Sequence, residues 1–269
     1  VNKILNKNKI LAPKLINQNY KNNYIEVEDF GDNTLFKVLK HNKTNKELFF
    51  RKILKTLSRL QLIKDKQVVN LNRQKYKVQK YDNKILLNEA KLFSEWYATR
   101  KINKFKIRKF KKVFENEVKK LLSKLNFKND TFVHRDFHVS NLMYVKNNIA
   151  VIDSQDALIG NKAYDLASLV DDVRFETSNK LKNKILNNYF KKLKKTEINK
   201  FVNDFEILSV LRNLKIIGIF MRLASRDNKK KYVKMIPYAW QMINYRMKKN
   251  REFVNLKLIL KRNFPKFVK

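Results

Sequence analysis

The 269 residues carry 62 Lys and Arg against 24 Asp and Glu, a formal net charge of +38, and their 43% hydrophobic and 12% aromatic content is enough for a sizeable core in one large or two small domains. No cysteine is present, which excludes disulfides and thiolate-bound zinc or iron–sulfur sites. No apolar run reaches the roughly 18 residues of a membrane helix and no signal-peptide apolar core opens the sequence, so a soluble, cytoplasmic chain with no membrane partner is expected.

In chain order, residues 13–16 and 24–28 read as two short strands, with the polar Asn17-Gln18-Asn19 as part of the turn between them. Gly31-Asp32-Asn33 breaks the alternation, and Thr34 or Asn33 can cap a helix starting near Leu35, which makes a hinge between a small β part and a larger helical part. Apolar residues at helical spacing predict helices over 47–62, 86–99 and 105–125, and again over 163–173, 180–193, 200–224 and 232–248. Residues 131–152 differ: their apolar runs are too brief for helices and are bounded by turn residues. Lysine is spread over nearly every segment, and short blocks such as Lys229-Lys230-Lys231 sit beside apolar helix positions. This reads as solvated helix faces, so nucleic acid is not expected as a partner, while a field this positive attracts nucleotides and other small anions.

The chemistry concentrates in Val133-His134-Arg135-Asp136-Phe137-His138-Val139-Ser140-Asn141-Leu142-Met143. It matches the kinase catalytic-loop pattern H-R-D-x-x-x-x-N, in which the Asp accepts the proton of the attacking hydroxyl and the Asn holds a metal ion. Downstream, a strand over 142–146, a turn at Asn147-Asn148 and a strand over 149–153 predict a hairpin in which Leu142 faces Asp153. Asn141 and Asp153 then lie within roughly 5–8 Å of each other, the reach of cross-strand and diagonal neighbours. One magnesium ion can take oxygens from both, because such ions bind one or two protein carboxylates or amides and fill the rest with phosphate and water. Where protein kinases have D-F-G, this chain reads Asp153-Ser154-Gln155, which argues against a regulated protein kinase and not against phosphoryl transfer. His134 reads as a structural residue that shapes the loop, Asp165 as an acceptor of loop hydrogen bonds, and His138 admits either a structural or a chemical role.

The segment 133–143, followed by 151–157 and 160–171, resembles the aminoglycoside-phosphotransferase superfamily of kinase-like fold. Within it, 28–32, 87–96 and 211–227 look like the bacterial branch that phosphorylates N-acetylmuramate and N-acetylglucosamine at the anomeric hydroxyl for cell-wall recycling. The resemblance implies an α+β, protein-kinase-like fold: a remnant of a small β lobe and hinge over 1–33, and a mostly helical large lobe over 34–269. It implies ATP and Mg2+ as cofactors, a nucleotide and a small sugar as partners, Asp136 as base, Asn141 and Asp153 as metal ligands, and His134, Arg135 and Asp165 as support for the loop. Adenine would meet backbone groups at Glu28 and Phe30, and sugar contacts would fall among Glu89, Asp156, Arg212 and Arg226. A choline- or aminoglycoside-type acceptor fits the same catalytic loop, and a catalytically inactive basic binding module is the reading from a different class. With only Gly31, Gly160 and Gly218, no glycine-rich phosphate loop can be drawn, and the strand Lys of a kinase small lobe is absent. The expectation is therefore an N-terminally incomplete sequence that starts near the end of the small-lobe helix.

Overall fold

Helices form where the apolar stripe is continuous and a short polar residue can receive the first N–H groups. In the computed structural model, which describes residues 1–19, 21–41, 45–69, 74–248 and 250–268, the side chains of Asn45, Asp82, Asn103 and Ser178 accept backbone N–H bonds at four helix starts. Thr34 is the cap of the helix expected near residue 35, its Oγ1 accepting the N–H of Lys37 at 3.3 Å.

The elements run α1 (Asn2–Lys7), β1 (Leu15–Asn19), β2 (Tyr24–Val27), α2 (Leu35–His41), α3 (Lys46–Gln61), β3 (Gln67–Val69), β4 (Lys75–Lys77), α4 (Asn83–Leu92) and α5 (Lys104–Ser123). They continue through β5 (Thr131–Val133), β6 (Leu142–Val145), β7 (Asn148–Val151), β8 (Leu158–Gly160), α6 (Tyr164–Val170), α7 (Asn179–Phe190), α8 (Lys195–Arg226), α9 (Ile236–Met247) and α10 (Val254–Asn263). The chain forms two compact units: Val1–Lys80 with Lys128–Val170 and Thr177–Lys194, and Tyr81–Phe127 with Asp171–Glu176 and Lys195–Lys269.

In the first unit the strands pair as antiparallel couples, β1–β2, β3–β4, β5–β8 and β6–β7. Single bridges attach linkers to them: the N–H of Val151 donates to Leu11, that of Tyr144 to Asn33, and that of Ile159 to Gln79, at 2.8–2.9 Å. Both outer edges of the β6–β7 hairpin are thereby satisfied by irregular backbone. Asn17-Gln18-Asn19 lies inside β1, and the turn falls at residues 21–23 with Asn23 left-handed at φ 54°. Both strands are largely exposed, so polar side chains there incur no burial cost.

The second unit is built on α8, which packs against α4 and α9. The helix expected over 86–99 is interrupted: α4 ends at Leu92, residues 93–97 form one π turn, and a 3-10 turn follows. The interruption coincides with Gly218 of α8, whose position leaves no room for a side chain. A Cβ there would stand 2.6 Å from the Phe93 nitrogen and closer still to the Leu92 carbonyl. Phe93 and Tyr97 are turned into an aromatic core with Phe110, Phe114, Trp240 and Phe264. Helix α10, absent from the sequence reading, buries only Leu256 and Leu260, too few for a periodic signal.

Gly218→Ala tests that crossing. Helix propensity alone would favour Ala by about 1 kcal/mol, whereas overpacking against fixed backbone costs about 1–3 kcal/mol. A lower urea midpoint than wild type is the expected result, and a higher one would show that the two helices can move apart.

Candidate active site

Strand β5 ends at Val133 and the chain turns sharply, with Arg135 left-handed at φ 73°. The turn points the N–H groups of His134 and Arg135 the same way, and the buried Asp165 in the first turn of α6 accepts both, at 2.7 and 3.0 Å. One carboxylate thus satisfies two backbone donors that the strand ladder no longer serves. Arg135 reaches across to the carbonyl of Asp156 at 3.2 Å. His134 is fully buried, with Nε2 3.0 Å from the Ile152 carbonyl; a carbonyl only accepts, so Nε2 carries the proton. Burial holds the His134 pKa below the ordinary value, with the Ile152 carbonyl and the charges of Asp136 and Asp153 pulling the other way. His138 is also buried.

The β6–β7 hairpin departs from the expected register. Leu142 pairs with Val151 and Val145 with Asn148, so the two-residue turn is Lys146-Asn147. Both turn residues have positive φ, 44° and 65°, the combination a tight hairpin turn requires. The strands are therefore two residues out from the predicted pairing, and Leu142 does not face Asp153. Asn141 and Asp153 still meet, because Asn141 pairs with Ile152 through the 3.1 Å bond from the Ile152 N–H to the Asn141 carbonyl, and Asp153 follows it with φ 60°.

The amide of Asn141 is the centre of the site. Its Nδ2 donates to the Asp136 carbonyl at 3.2 Å and to Asp153 Oδ2 at 3.3 Å. Gln155 Nε2 donates to the other Asp153 oxygen at 2.7 Å, a role the sequence reading did not assign. Asp136 is half-buried and Asp153 exposed, so both carboxylates are accessible to a ligand. Among the described residues no cluster of three His, Cys, Asp or Glu converges on a point. The donor set is instead one carboxylate and one amide oxygen, hard oxygen ligands that suit a magnesium ion completed by phosphate.

The other predicted residues are divided between the two units. Glu28 follows β2, its N–H donating to the Lys14 carbonyl at 2.8 Å, and Phe30 precedes the left-handed Gly31. Asp156 is exposed beside the loop through its bond with Arg135. In the second unit, the Glu89 carboxylate is held by Lys215 at 2.8 Å and by the Tyr81 hydroxyl. Arg212 is buried within α8, and Arg226 is exposed at its end, paired with Asp227 at 2.7 Å. Along one helix these arginines stand about 21 Å apart, so α8 alone does not bring them together.

Residues 4–197, well over half of the chain, match the family described as "APH: Phosphotransferase enzyme family". The chain belongs to this phosphotransferase family. Among curated relatives, the N-acetylmuramate/N-acetylglucosamine kinase of Neisseria meningitidis serogroup B is 34% identical over 182 residues, 65% of this chain and 54% of that protein. The protein of the same name from Pseudomonas aeruginosa is 27% identical over 255 residues, 91% of this chain and 71% of that protein. The chain thus spans about half the length of the Neisseria protein. Among solved structures, a choline/ethanolamine kinase family protein from Mesorhizobium loti superposes with a TM-score of 0.62 at 10% identity, covering 97% of this chain and 80% of that one. ADP-bound aminoglycoside phosphotransferase APH(2'')-Ib gives 0.56 at 18% identity, covering 90% and 80%. These neighbours establish the α+β kinase-like fold of this family member. No helix among its described residues is long and apolar enough to cross a membrane.

The buried His134 makes the family member's stability pH-dependent. Its folded pKa lies below the unfolded value of about 6.5, so its contribution is fully present above that value and is lost as pH falls through the folded pKa. Urea midpoints measured from pH 8 to pH 5 should fall less steeply in His134→Gln than in wild type; identical slopes would show that His134 does not carry the effect.

Proposed function

We propose that the chain contributes the catalytic loop and metal-binding hairpin of an ATP-dependent phosphotransferase that acts on a small-molecule hydroxyl, and that the acceptor is an amino sugar of the N-acetylmuramate or N-acetylglucosamine type. The observation that carries the reading is the Asn141 amide, which ties the Asp136 backbone to the Asp153 carboxylate and so sets base and metal ligands on one hydrogen-bonded frame. The curated relatives' names support the acceptor.

In this reading the Asp136 carboxylate accepts the proton of the acceptor hydroxyl as its oxygen bonds to the γ-phosphorus, and the bond from that phosphorus to the β–γ bridging oxygen breaks, releasing ADP. Asn141 and Asp153 would hold Mg2+, which would supply charge neutralisation at the phosphates. His134, Arg135 and Asp165 fix the loop and touch no reacting atom. Adenine meets the backbone of Glu28 and Phe30, residues 1–33 belong to the small lobe and hinge, 34–269 to the large lobe, and the sugar is contacted by residues drawn from Glu89, Asp156, Arg212 and Arg226. The demand for ATP suits a cytoplasmic protein.

Magnesium-dependent ADP release assayed against N-acetylmuramate, N-acetylglucosamine, choline and kanamycin tests the proposal. Sugar-dependent turnover that drops by about 10²–10⁴-fold in Asp136→Ala is expected for loss of a general base. Turnover with choline or kanamycin alone would move the acceptor class, and no acceptor-dependent turnover would overturn the reading.

A further inference from the structure

A cavity of about 460 Å3 lies in the first unit, lined by residues of three segments, none of them in the catalytic loop. The segment after α1 contributes Lys9, Ile10 and Leu11, helix α3 contributes Lys52, Lys55, Thr56 and Arg59, and the β6–β7 hairpin contributes Asn147 of its turn with Asn148 and Ile149 of β7. The volume falls within the range of about 300–1,000 Å3 typical of small-molecule sites.

Its chemistry is one-sided. Four cationic side chains line it and no Asp or Glu does. Lys52, Lys55 and Arg59 share one face of α3 at spacings of three and four residues, opposite the face that buries Ile53, Leu54, Leu57 and Leu60. Two of the cations are held by carbonyls: Lys52 donates to Asn147 at 3.2 Å and Arg59 to Lys9 at 3.4 Å. A carbonyl fixes a cation's position and leaves its charge uncancelled, unlike the carboxylate partners that Lys7, Arg51 and Lys184 have in the same unit. Ile10 and Ile149, both buried apolar side chains, belong to the lining as well. Four cations from three segments thus line one concavity together with the apolar Ile10, Leu11 and Ile149.

We infer that this cavity binds a small organic phosphate ester, with the phosphate against Lys52, Lys55 and Arg59 and the carbon skeleton over Ile10, Leu11 and Ile149. Arginine and lysine together give bidentate and point-charge recognition of a dianion, and the apolar lining residues would favour an ester over inorganic phosphate. The site is separate from the phosphotransfer centre and does not depend on the reaction proposed for it.

Calorimetric titration with glucose 1-phosphate and, separately, inorganic phosphate at about 0.15 M salt, where long-range surface attraction is screened, tests this. Saturable binding of the ester at one equivalent, tighter than inorganic phosphate, is expected. Lys55→Gln combined with Arg59→Gln should weaken it at least about tenfold, as loss of two charge-assisted contacts requires, and Lys9→Gln, from a different segment, should weaken it in the same direction. Lys229→Gln, Lys230→Gln and Lys231→Gln together remove more charge from an exposed run and should change it less than about twofold, as should Asp136→Ala. Equal loss in the two charge-removal variants would reduce the site to dispersed charge and overturn the inference. Loss in Asp136→Ala, equal binding of inorganic phosphate, or no saturable binding would overturn it as well.

Discussion

The carboxylate of Asp165 is the constraint on which the catalytic segment depends. A chain leaving a strand through a left-handed residue abandons the ladder that satisfied its N–H groups, and two unsatisfied buried donors would cost several kcal/mol. Asp165 accepts both, and because a carboxylate accepts such bonds more strongly than a neutral oxygen, the turn at Arg135 is held. Everything downstream inherits that position: His134 is set to donate to Ile152, Ile152 pairs with Asn141, and Asn141 reaches both Asp136 and Asp153. Asp136 and Asp153 are thus positioned through a chain of contacts that starts at Asp165.

The second unit solves a different problem. Asp171 and Arg246 form a buried bidentate pair at 2.7 and 3.0 Å, with Ser209 donating to the same carboxylate at 2.6 Å and the guanidinium stacked over Phe205 and Tyr245. Removing one partner of such a pair leaves an uncompensated buried charge and costs about 3–5 kcal/mol, whereas an apolar replacement of both can be neutral. The pair therefore reads as a device that fixes how α8 and α9 sit against residues 171–176. Gly218 does the same for α4 and α8 by close approach of backbone.

A net charge of +38 repels itself unless carboxylates are placed economically. Glu47 shows how: bonded first to Lys184 and then to Arg51, its pKa is pushed down to about 2, and it links α3 to α7. At an exposed position the pairing is worth little in stability. It does remove repulsion where two basic helices meet. The lining of the cavity beside α3, by contrast, holds four cations and no carboxylate.

The sequence by itself determined the candidate catalytic residues and most of the helices. The pattern from His134 to Asn141 with Asp153 beyond it named the residues that the structure brings together, because chemistry at a catalytic loop is local and its residue types are few. The stripes in α3, α5, α7 and α8 were legible for the same local reason, a period of 3.6 with caps. Tertiary structure decided what local pattern leaves degenerate. The hairpin turn sits at Lys146-Asn147, with the outer edges of both strands bonded to Asn33 and Leu11, distant pairings that no turn propensity encodes. The π turn at Phe93 follows from a helix more than a hundred residues later, and the cavity of Lys9, Lys52, Lys55 and Arg59 exists only once three separate segments fold together. Charge is additive along a sequence; whether it is dispersed or convergent is a property of the folded surface alone.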